Sequence, residues 1–432
     1  MPTEPNRAGT EPDVFLTAYD PTDLPGTSVD PLGFERAYLF LADAVLPGLT
    51  NVVGGARYFS VLCAGAHLAD VSSSATAREQ VTQRRAAIMR LERLWALANV
   101  LRPDVDQEQL LGIRGIRYVQ AAHAELQHKG ARYANIDFKL LARQATYGVL
   151  GIYGAVAEGM HLIDRATYSL TPGLGDRLAE AFITGTRMPD AVRKATAGEG
   201  TVRLDVLAEW GTQASLAAAI PAPEALPFRD ALFSDPIRRR MCDLLAGIPS
   251  RDDEDELTWM ARLRAAAVKA RRDGDLADAL AVIQRFERCY RLAVAGLMRL
   301  LMMCRASATG AIDRSSRRAD RVLADARAAL GPAFSDLERT LADQQTLAIG
   351  ARPERLEDAL SFLRAAAGAA DPLAFCERVV GRHAEIQRGK FDGGRRKAPW
   401  LDENDGALAL TPSRVPDTPP EITGPEDIRP HA

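Results

Sequence analysis

The chain of 432 residues is long enough for two or three domains or for one elongated helical body. Hydrophobic residues make up 47% and charged residues 26%, which excludes a disordered, collagenous or membrane-embedded chain, and an aromatic content of 6% favours helices over sheets. Lysine and arginine (54) against aspartate and glutamate (57) give a formal net charge of -3, so any contact with nucleic acid must come from a local basic patch.

The five cysteines lie far apart without a C-x-x-C pair, which argues against a disulfide framework and a zinc site. The polar N-terminus lacks the apolar core of a signal peptide. The most apolar stretch, 292–304, is short and holds Arg299, so it is not expected to span a bilayer. These features predict a cytoplasmic protein with no membrane contact and no cofactor.

Helices dominate the first part of the chain. Residues 1–30 are rich in Pro, Thr, Asp and Gly and are expected to form a disordered tail. Apolar spacing predicts a helix over 34–46 that ends at Pro47, a second at about 56–70 and a long amphipathic one over 75–100, where Thr76 precedes Glu79. Together they predict an N-terminal helical domain over 31–130.

The segment 131–250 has a different pattern. FKLLARQA and TYGVLGIYGAVAEG predict two helices, MHLIDRATYSLT predicts a β-hairpin around Asp164, and PGLGDRLAEAF predicts a third helix. The order helix, helix, hairpin, helix and the string from Leu170 to Gly175 resemble the wing region of prokaryotic winged-helix domains. We therefore predict a winged-helix-like module followed by a linker.

The side chains of this module do not decide whether it binds DNA or protein. A helix that reads the major groove must present Arg, Lys, Asn or Gln to base edges. The second helix, which follows Gln144, has none of these residues. The first helix supplies Lys139 and Arg143. A module that binds DNA and one that binds protein are therefore both compatible with the sequence.

Residues 251–401 predict a C-terminal helical domain. Helices are expected over 254–272, 276–304, 318–345, 353–367 and 371–389, and their lengths suit a long helical hairpin or bundle. Residues from about 402 to 432 are again rich in Pro and polar residues and predict a second disordered tail. The fold class is therefore mostly α.

Catalytic motifs are not found in the sequence. It contains no phosphate-binding G-x-x-x-x-G-K-[ST], no G-x-S-x-G elbow and no H-E-x-x-H. His123 and His128 would lie about 140° apart around a helix, too far for one metal ion. The acidic run 252–256 is explained by a helix start, where negative charge is favourable. No catalytic or metal-binding residue is predicted.

Three basic clusters are candidates for partner binding: 238–240, the arginines between 314 and 321, and 382–400. The last is the most concentrated and surrounds Gly393 and Gly394, which predicts a flexible basic loop that neutralises phosphates, with Trp400 available to stack on a base. Its predicted nucleic-acid-binding residues are Arg388, Lys390, Arg395, Arg396 and Lys397.

A turn between two apolar helices carries a family resemblance. The string ADAVLPGLTN at 42–51, followed by ARYF at 56–59, resembles an uncharacterised bacterial family whose members carry a similar Leu-Pro-Gly turn and whose genes are often found in phage-defence neighbourhoods. A departure is Gly54-Gly55, where a more polar or basic run is expected. The resemblance transfers no catalytic residue. The matching positions are Ala42, Asp43, Leu46, Pro47, Gly48, Thr50, Asn51, Ala56, Arg57, Tyr58 and Phe59.

These observations predict a non-catalytic, DNA-associated or scaffold component of a multi-protein bacterial anti-phage defence system. Its expected partners are proteins encoded by neighbouring genes and double-stranded DNA bound by local basic patches. Arg57 and Tyr58 in the turn, and Lys139 and Arg143 in the module, complete the candidate residues. Two alternatives stay open: a metal-dependent nuclease that uses carboxylates such as Glu385, and a helical adaptor that docks a partner on the apolar stripe of 276–345.

Overall fold

The computed structural model describes residues 30–50, 53–72, 74–103, 105–106, 108–251, 254–270, 273–343, 354–392, 395–404 and 406–411. It is mostly helical, as predicted. The chain divides into two compact units, which we name by their place in the sequence: Leu46–Arg240 is the inner unit, and the chain before and after it is the outer unit. Among the described helices none is long and apolar enough to cross a membrane.

The elements follow one another along the chain with few strands. The first helices are α1 Glu35–Asp43, α2 Arg57–His67, α3 Ala77–Leu101, α4 Ile116–His128, α5 Gln144–Tyr147 and α6 Val149–Gly159. After the hairpin β1 Ile163–Asp164 and β2 Ser169–Leu170 come α7 Leu174–Gly185, α8 Asp190–Ala197, α9 Leu204–Ala214, α10 Ala222–Leu232 and α11 Pro236–Gly247. The remainder comprises α12 Glu256–Lys269, α13 Gly274–Ala306, β3 Ala311–Ile312, α14 Arg314–Ala319, α15 Arg321–Asp343, α16 Glu354–Ala367, α17 Pro372–Arg388, β4 Phe391–Asp392, β5 Arg395–Arg396, β6 Leu401–Asn404 and β7 Ala407–Leu410.

Helix α3 is the centre of the inner unit. It begins in a capping box, because the Thr76 side chain accepts from the Glu79 N–H and the Glu79 carboxylate accepts from the Thr76 N–H. Its second half is buried, and helices α2, α4, α6, α8 and α9 pack around it. Trp95 is fully buried there, and its indole N–H donates to the Ala214 carbonyl of α9. These contacts build one core from helices far apart in the sequence.

The predicted hairpin is present and so is the helix just before it, α6, but the first of the two predicted helices is not. β1 and β2 pair antiparallel, with Ile163 opposite Leu170. In FKLLARQA only the end is helical, where α5 begins at Gln144. The chain before α5 instead packs against the start of α4, where Gly115 has φ +71° and a Cβ would lie 2.0 Å from the Leu140 carbonyl oxygen. A close backbone contact therefore overrides the helical propensity of this segment.

The outer unit is built around α13, a helix of 33 residues. Helices α12, α15 and α17 pack along it. Phe34, just before α1, joins this core and lies 5.6 Å from Phe286 and 5.9 Å from Phe362 between ring centroids. The apolar positions of α13 and α15 lie in this core, so the stripe considered for adaptor docking is already covered by the protein's own helices.

The segment assigned from the sequence to a C-terminal tail begins with two strands, within 402–404 and 406–411. β6 and β7 pair antiparallel, and β3 joins β7 to give a sheet of order β3-β7-β6. Leu401 and Leu408 are buried, which fixes the sheet on the core. The buried Arg317 guanidinium donates to the Glu403 carboxylate (3.0 Å) and the Gly406 carbonyl (2.9 Å). The rest of both predicted tails, 1–29 and 412–432, lies outside the described residues.

Candidate functional site

The basic segment after α17 forms a hairpin rather than a loop. β4 and β5 pair antiparallel, with Phe391 opposite Arg396 and Asp392 opposite Arg395. The Lys397 N–H donates to the Lys390 carbonyl at 2.9 Å and extends the pairing by one step. Arg388, at the end of α17, is exposed and its side chain makes no hydrogen bond or ion pair with any described residue. Of the predicted residues, Arg395 and Arg396 thus lie on a two-stranded ribbon, and Arg388, Lys390 and Lys397 lie in the chain on either side of it.

Lys390 lies in this hairpin segment but is turned away from it. Its ammonium group donates to the Asp30 carbonyl at 2.7 Å. Burial lowers the pKa of Lys390, and the positive charge of Lys397 acts in the same direction, against the opposing effect of Asp30 and Glu35. The structure thus places the head group of Lys390, a predicted nucleic-acid-binding residue, on the backbone of Asp30 in the outer unit.

Trp400 is buried and does not offer its ring to a base. Its backbone N–H donates to His383 Nε2 at 2.9 Å, and the His383 and Trp400 ring centroids are 4.7 Å apart. Because Nε2 accepts, Nδ1 carries the proton and donates to the Pro31 carbonyl at 3.0 Å. Burial lowers the pKa of His383 to about 4, so the ring is neutral at pH 7. This neutral imidazole fixes the chain just beyond the basic hairpin on α17.

Arg57 is buried and does not face solvent. Its guanidinium pairs with Glu224 at 3.1 Å and donates to the carbonyls of Gln213 (2.8 Å) and Ala219 (3.2 Å). Burial lowers the pKa of Arg57 and raises that of Glu224. The structure thus places Arg57, a predicted nucleic-acid-binding residue, in the inner core with its guanidinium group held by core residues.

Tyr58 is likewise a core residue. It stacks on Tyr153 at 4.6 Å between ring centroids, and its hydroxyl donates to the Gly112 carbonyl at 3.0 Å. The turn before it is held by Arg238, whose guanidinium donates to the Pro47 carbonyl at 2.7 Å. The basic cluster at 238–240 thus contributes its first arginine to structure. These contacts show that Pro47 in the Leu-Pro-Gly string and Tyr58 after it are bound by other residues of the inner unit.

The module around the hairpin presents little to a DNA groove. Buried residues occupy most of α6, and its exposed positions include Ala155 and Glu158 but no Arg, Lys, Asn or Gln. The β1–β2 hairpin is fastened to α3, since Arg84 donates to the Thr167 carbonyl at 3.2 Å and the Arg85 guanidinium lies 5.8 Å from the Tyr168 ring centroid. Helix α6 therefore lacks the side chains that read base edges.

Lys139 and Arg143 are exposed, as their predicted role requires. The Lys139 ammonium group lies 5.5 Å from the Tyr118 ring centroid. Sequence reasoning missed two residues close by in the chain, Arg132 and the exposed Tyr133, because two isolated side chains give no motif. The sequence does contain a signal for these two residues, because basic and aromatic residues alternate from Arg117 onward. The alternation becomes apparent once the chain before α5 is known to be non-helical.

Metal-ligating side chains do not gather in the described part of the chain. No group of three or more His, Cys, Asp and Glu side chains there is arranged to hold a metal ion. Asp255 caps α12 by accepting from the Leu257 N–H at 2.9 Å, while 252 and 253 lie outside the described residues. Glu385, the carboxylate considered for a nuclease, lies 3.8 Å from the Arg382 guanidinium.

Comparison with known proteins adds no relative. The chain matches no protein-family model, and neither a curated protein nor a solved structure matches it. The site is therefore described by its own geometry, as a basic β-ribbon flanked by the exposed Arg388 and by the half-buried Lys397.

Proposed function

We propose that this protein is a non-catalytic, DNA-associated scaffold component of a multi-protein bacterial anti-phage defence system and acts in the cytoplasm. The observation that carries the DNA contact is the β4–β5 ribbon, whose second strand consists of Arg395 and Arg396 and is followed by Lys397. Arg388, which precedes the ribbon, is exposed and has no side-chain partner among the described residues. A two-stranded ribbon fits the width of the major groove, and cations along it neutralise phosphates. The assignment to phage defence is supported by the resemblance of the Leu-Pro-Gly string.

The chain is held in place on both sides of the ribbon. Before it, the Lys390 ammonium group donates to the Asp30 carbonyl, and after it the Trp400 N–H donates to the His383 imidazole. A chain segment that is already held in place loses less conformational entropy when it binds DNA. Fewer charged contacts are therefore needed for a given affinity. In this proposal the winged-helix-like module serves protein contacts, because α6 exposes no base-reading side chain.

The test is binding of the full chain to a fluorescent DNA duplex across a salt series. Replacing Arg395, Arg396 and Lys397 together by alanine is expected to weaken binding nearly equally for all sequences and to reduce the salt slope by about 0.9 for each phosphate that is no longer neutralised. A matched control removes the exposed Arg193, Lys194 and Arg229 and the same amount of charge. Unchanged affinity and slope in the ribbon variant would refute the assignment.

The same samples, incubated with Mg²⁺ and analysed on a gel, test the nuclease alternative. Intact DNA after prolonged incubation supports a scaffold. Metal-dependent cleavage that is abolished in Glu385→Gln would instead support the nuclease.

A further inference from the structure

The 116–143 segment, which runs from α4 to the residue before α5, concentrates positive charge. It has five basic and two acidic residues in a chain whose net charge is -3. Arg117, Arg132, Lys139 and Arg143 are all exposed, and their side chains make no hydrogen bond or ion pair with any described residue. Of the two acidic residues, Glu125 pairs with Lys129, and Asp137 interacts with the partly buried Arg93. Within the described part of the chain, these four cations thus have no anionic partner.

An exposed aromatic side chain accompanies these charges. Tyr133 is 54% exposed, although its backbone is firmly held. The Leu204 N–H donates to the Arg132 carbonyl at 3.0 Å, and the Ala134 N–H donates to the Val202 carbonyl at 2.7 Å. Arg203, opposite Tyr133, is neutralised by Asp205. A rigidly held ring beside the unpaired Arg132 loses little entropy when a flat ligand stacks on it.

The charges lie on α4 and on the chain that follows it. This helix of 13 residues is about 20 Å long, and Arg132 and Tyr133 follow its C-terminal end. The chain then returns to the start of α4, where Lys139 lies over Tyr118 and Leu140 contacts Gly115. Basic and aromatic side chains are thus present at both ends of the helix, at a separation that several nucleotides span.

We propose that the 116–143 segment binds single-stranded nucleic acid, with a base stacked on Tyr133 and backbone phosphates on Arg132, Lys139 and Arg143. Stacking platforms combined with a basic track are typical of proteins that bind single strands without sequence preference. A duplex is less suitable, because its base faces are hidden in the stack. The inference does not rest on the duplex contact proposed above, since the β4–β5 ribbon belongs to the outer unit.

The first test measures fluorescence anisotropy of labelled oligothymidine of about 15 nucleotides with the full chain, a length within the site size of known single-strand binders. Tyr133→Ala is expected to weaken binding about tenfold, whereas Tyr133→Phe keeps the ring and the affinity. The ribbon variant lacking Arg395, Arg396 and Lys397 should bind oligothymidine like the unmodified protein. Circular dichroism checks that every variant is folded.

The second test addresses the charges. Arg132→Ala with Arg143→Ala should lower the salt slope for oligothymidine by about 1.4, because each neutralised phosphate contributes about 0.7 for a single strand. The control Arg193→Ala with Lys194→Ala should leave the slope unchanged. The proposal is overturned if oligothymidine is not bound at about 50 mM salt, if Tyr133→Ala binds it normally, or if Tyr133→Ala impairs only duplex binding.

Discussion

The buried pair Arg57–Glu224 provides a quantitative test of the inner core. Replacing Arg57 by methionine keeps much of the side-chain volume but removes the charge that faces Glu224. The Glu224 carboxylate would then keep one partner, the Ser60 hydroxyl at 2.7 Å, and its second oxygen already lacks a hydrogen-bond partner among the described residues. Stranding a buried charge in this way costs about 3–5 kcal/mol of unfolding free energy.

The partner substitution should cost less. In Glu224→Gln the side-chain oxygen still accepts hydrogen bonds, and Arg57 keeps the carbonyls of Gln213 and Ala219, so we expect a loss of about 2 kcal/mol. Replacing both Arg57 and Glu224 by methionine removes both charges and should recover most of the stability that the single change removes. Because burial already raises the pKa of Glu224, protonation should reduce the penalty of Arg57→Met at acidic pH.

The assay is urea unfolding read by amide hydrogen exchange in α2 and α10, which reports the inner unit separately from the outer one. Duplex binding of the folded variants is measured in parallel. The reasoning is refuted if Arg57→Met is as stable as the unmodified protein at pH 8 and loses DNA binding. That result would mean that Arg57 contacts a ligand and not the core.

Three further predictions concern single positions. Burial lowers the pKa of His383 from 6.5 to about 4, so the outer unit should lose up to about 3 kcal/mol as the pH falls through that range, and His383→Gln should abolish this loss in urea unfolding. Burial raises the pKa of Glu92 from 4.5 to about 7, so the inner unit should lose about 3 kcal/mol as the pH rises between those values, and exchange of α3 amides should show no such loss in Glu92→Gln. Gly115→Ala should destabilise the inner unit by about 1–3 kcal/mol, because Gly115 has a positive φ and an added Cβ would meet the Leu140 carbonyl. Gly54→Ala, whose Cβ would meet open space, should not destabilise it. Equal melting temperatures of these two variants would contradict the prediction.

The long amphipathic helices could be predicted from the sequence, because the residues that indicate them lie close together in the chain. The capping box at Thr76 and the apolar spacing that follows it lie within a few residues of each other. The same holds for α17, which begins where Asp371 accepts from the Ala374 N–H. Such signals need no knowledge of the rest of the chain.

The remaining features depend on residues far away in the sequence. β7 is four residues long and pairs with β3, almost a hundred residues earlier, so its own sequence reads as part of a tail. Arg57 resembled a solvent-facing cation because Glu224 and the Gln213 carbonyl, which bury it, come much later in the chain. Among the candidate residues, the exposure of Lys139 and Arg143 could be predicted. The hydrogen bond that directs the Lys390 side chain to the Asp30 carbonyl could not, because Asp30 is far away in the sequence.

The division of the chain has a consequence for its synthesis. The inner unit, Leu46–Arg240, is continuous in sequence and is completely translated before the main helices of the outer unit are made. The segment around Phe34 and α1, by contrast, is translated before the inner unit but packs against Phe286 and Phe362, which are translated after it. Its apolar side chains therefore stay without these native neighbours until α13 and α16 have been made. We expect this stretch to be the point where a chaperone engages the nascent chain, and the inner unit to be the part that tolerates transfer into another protein.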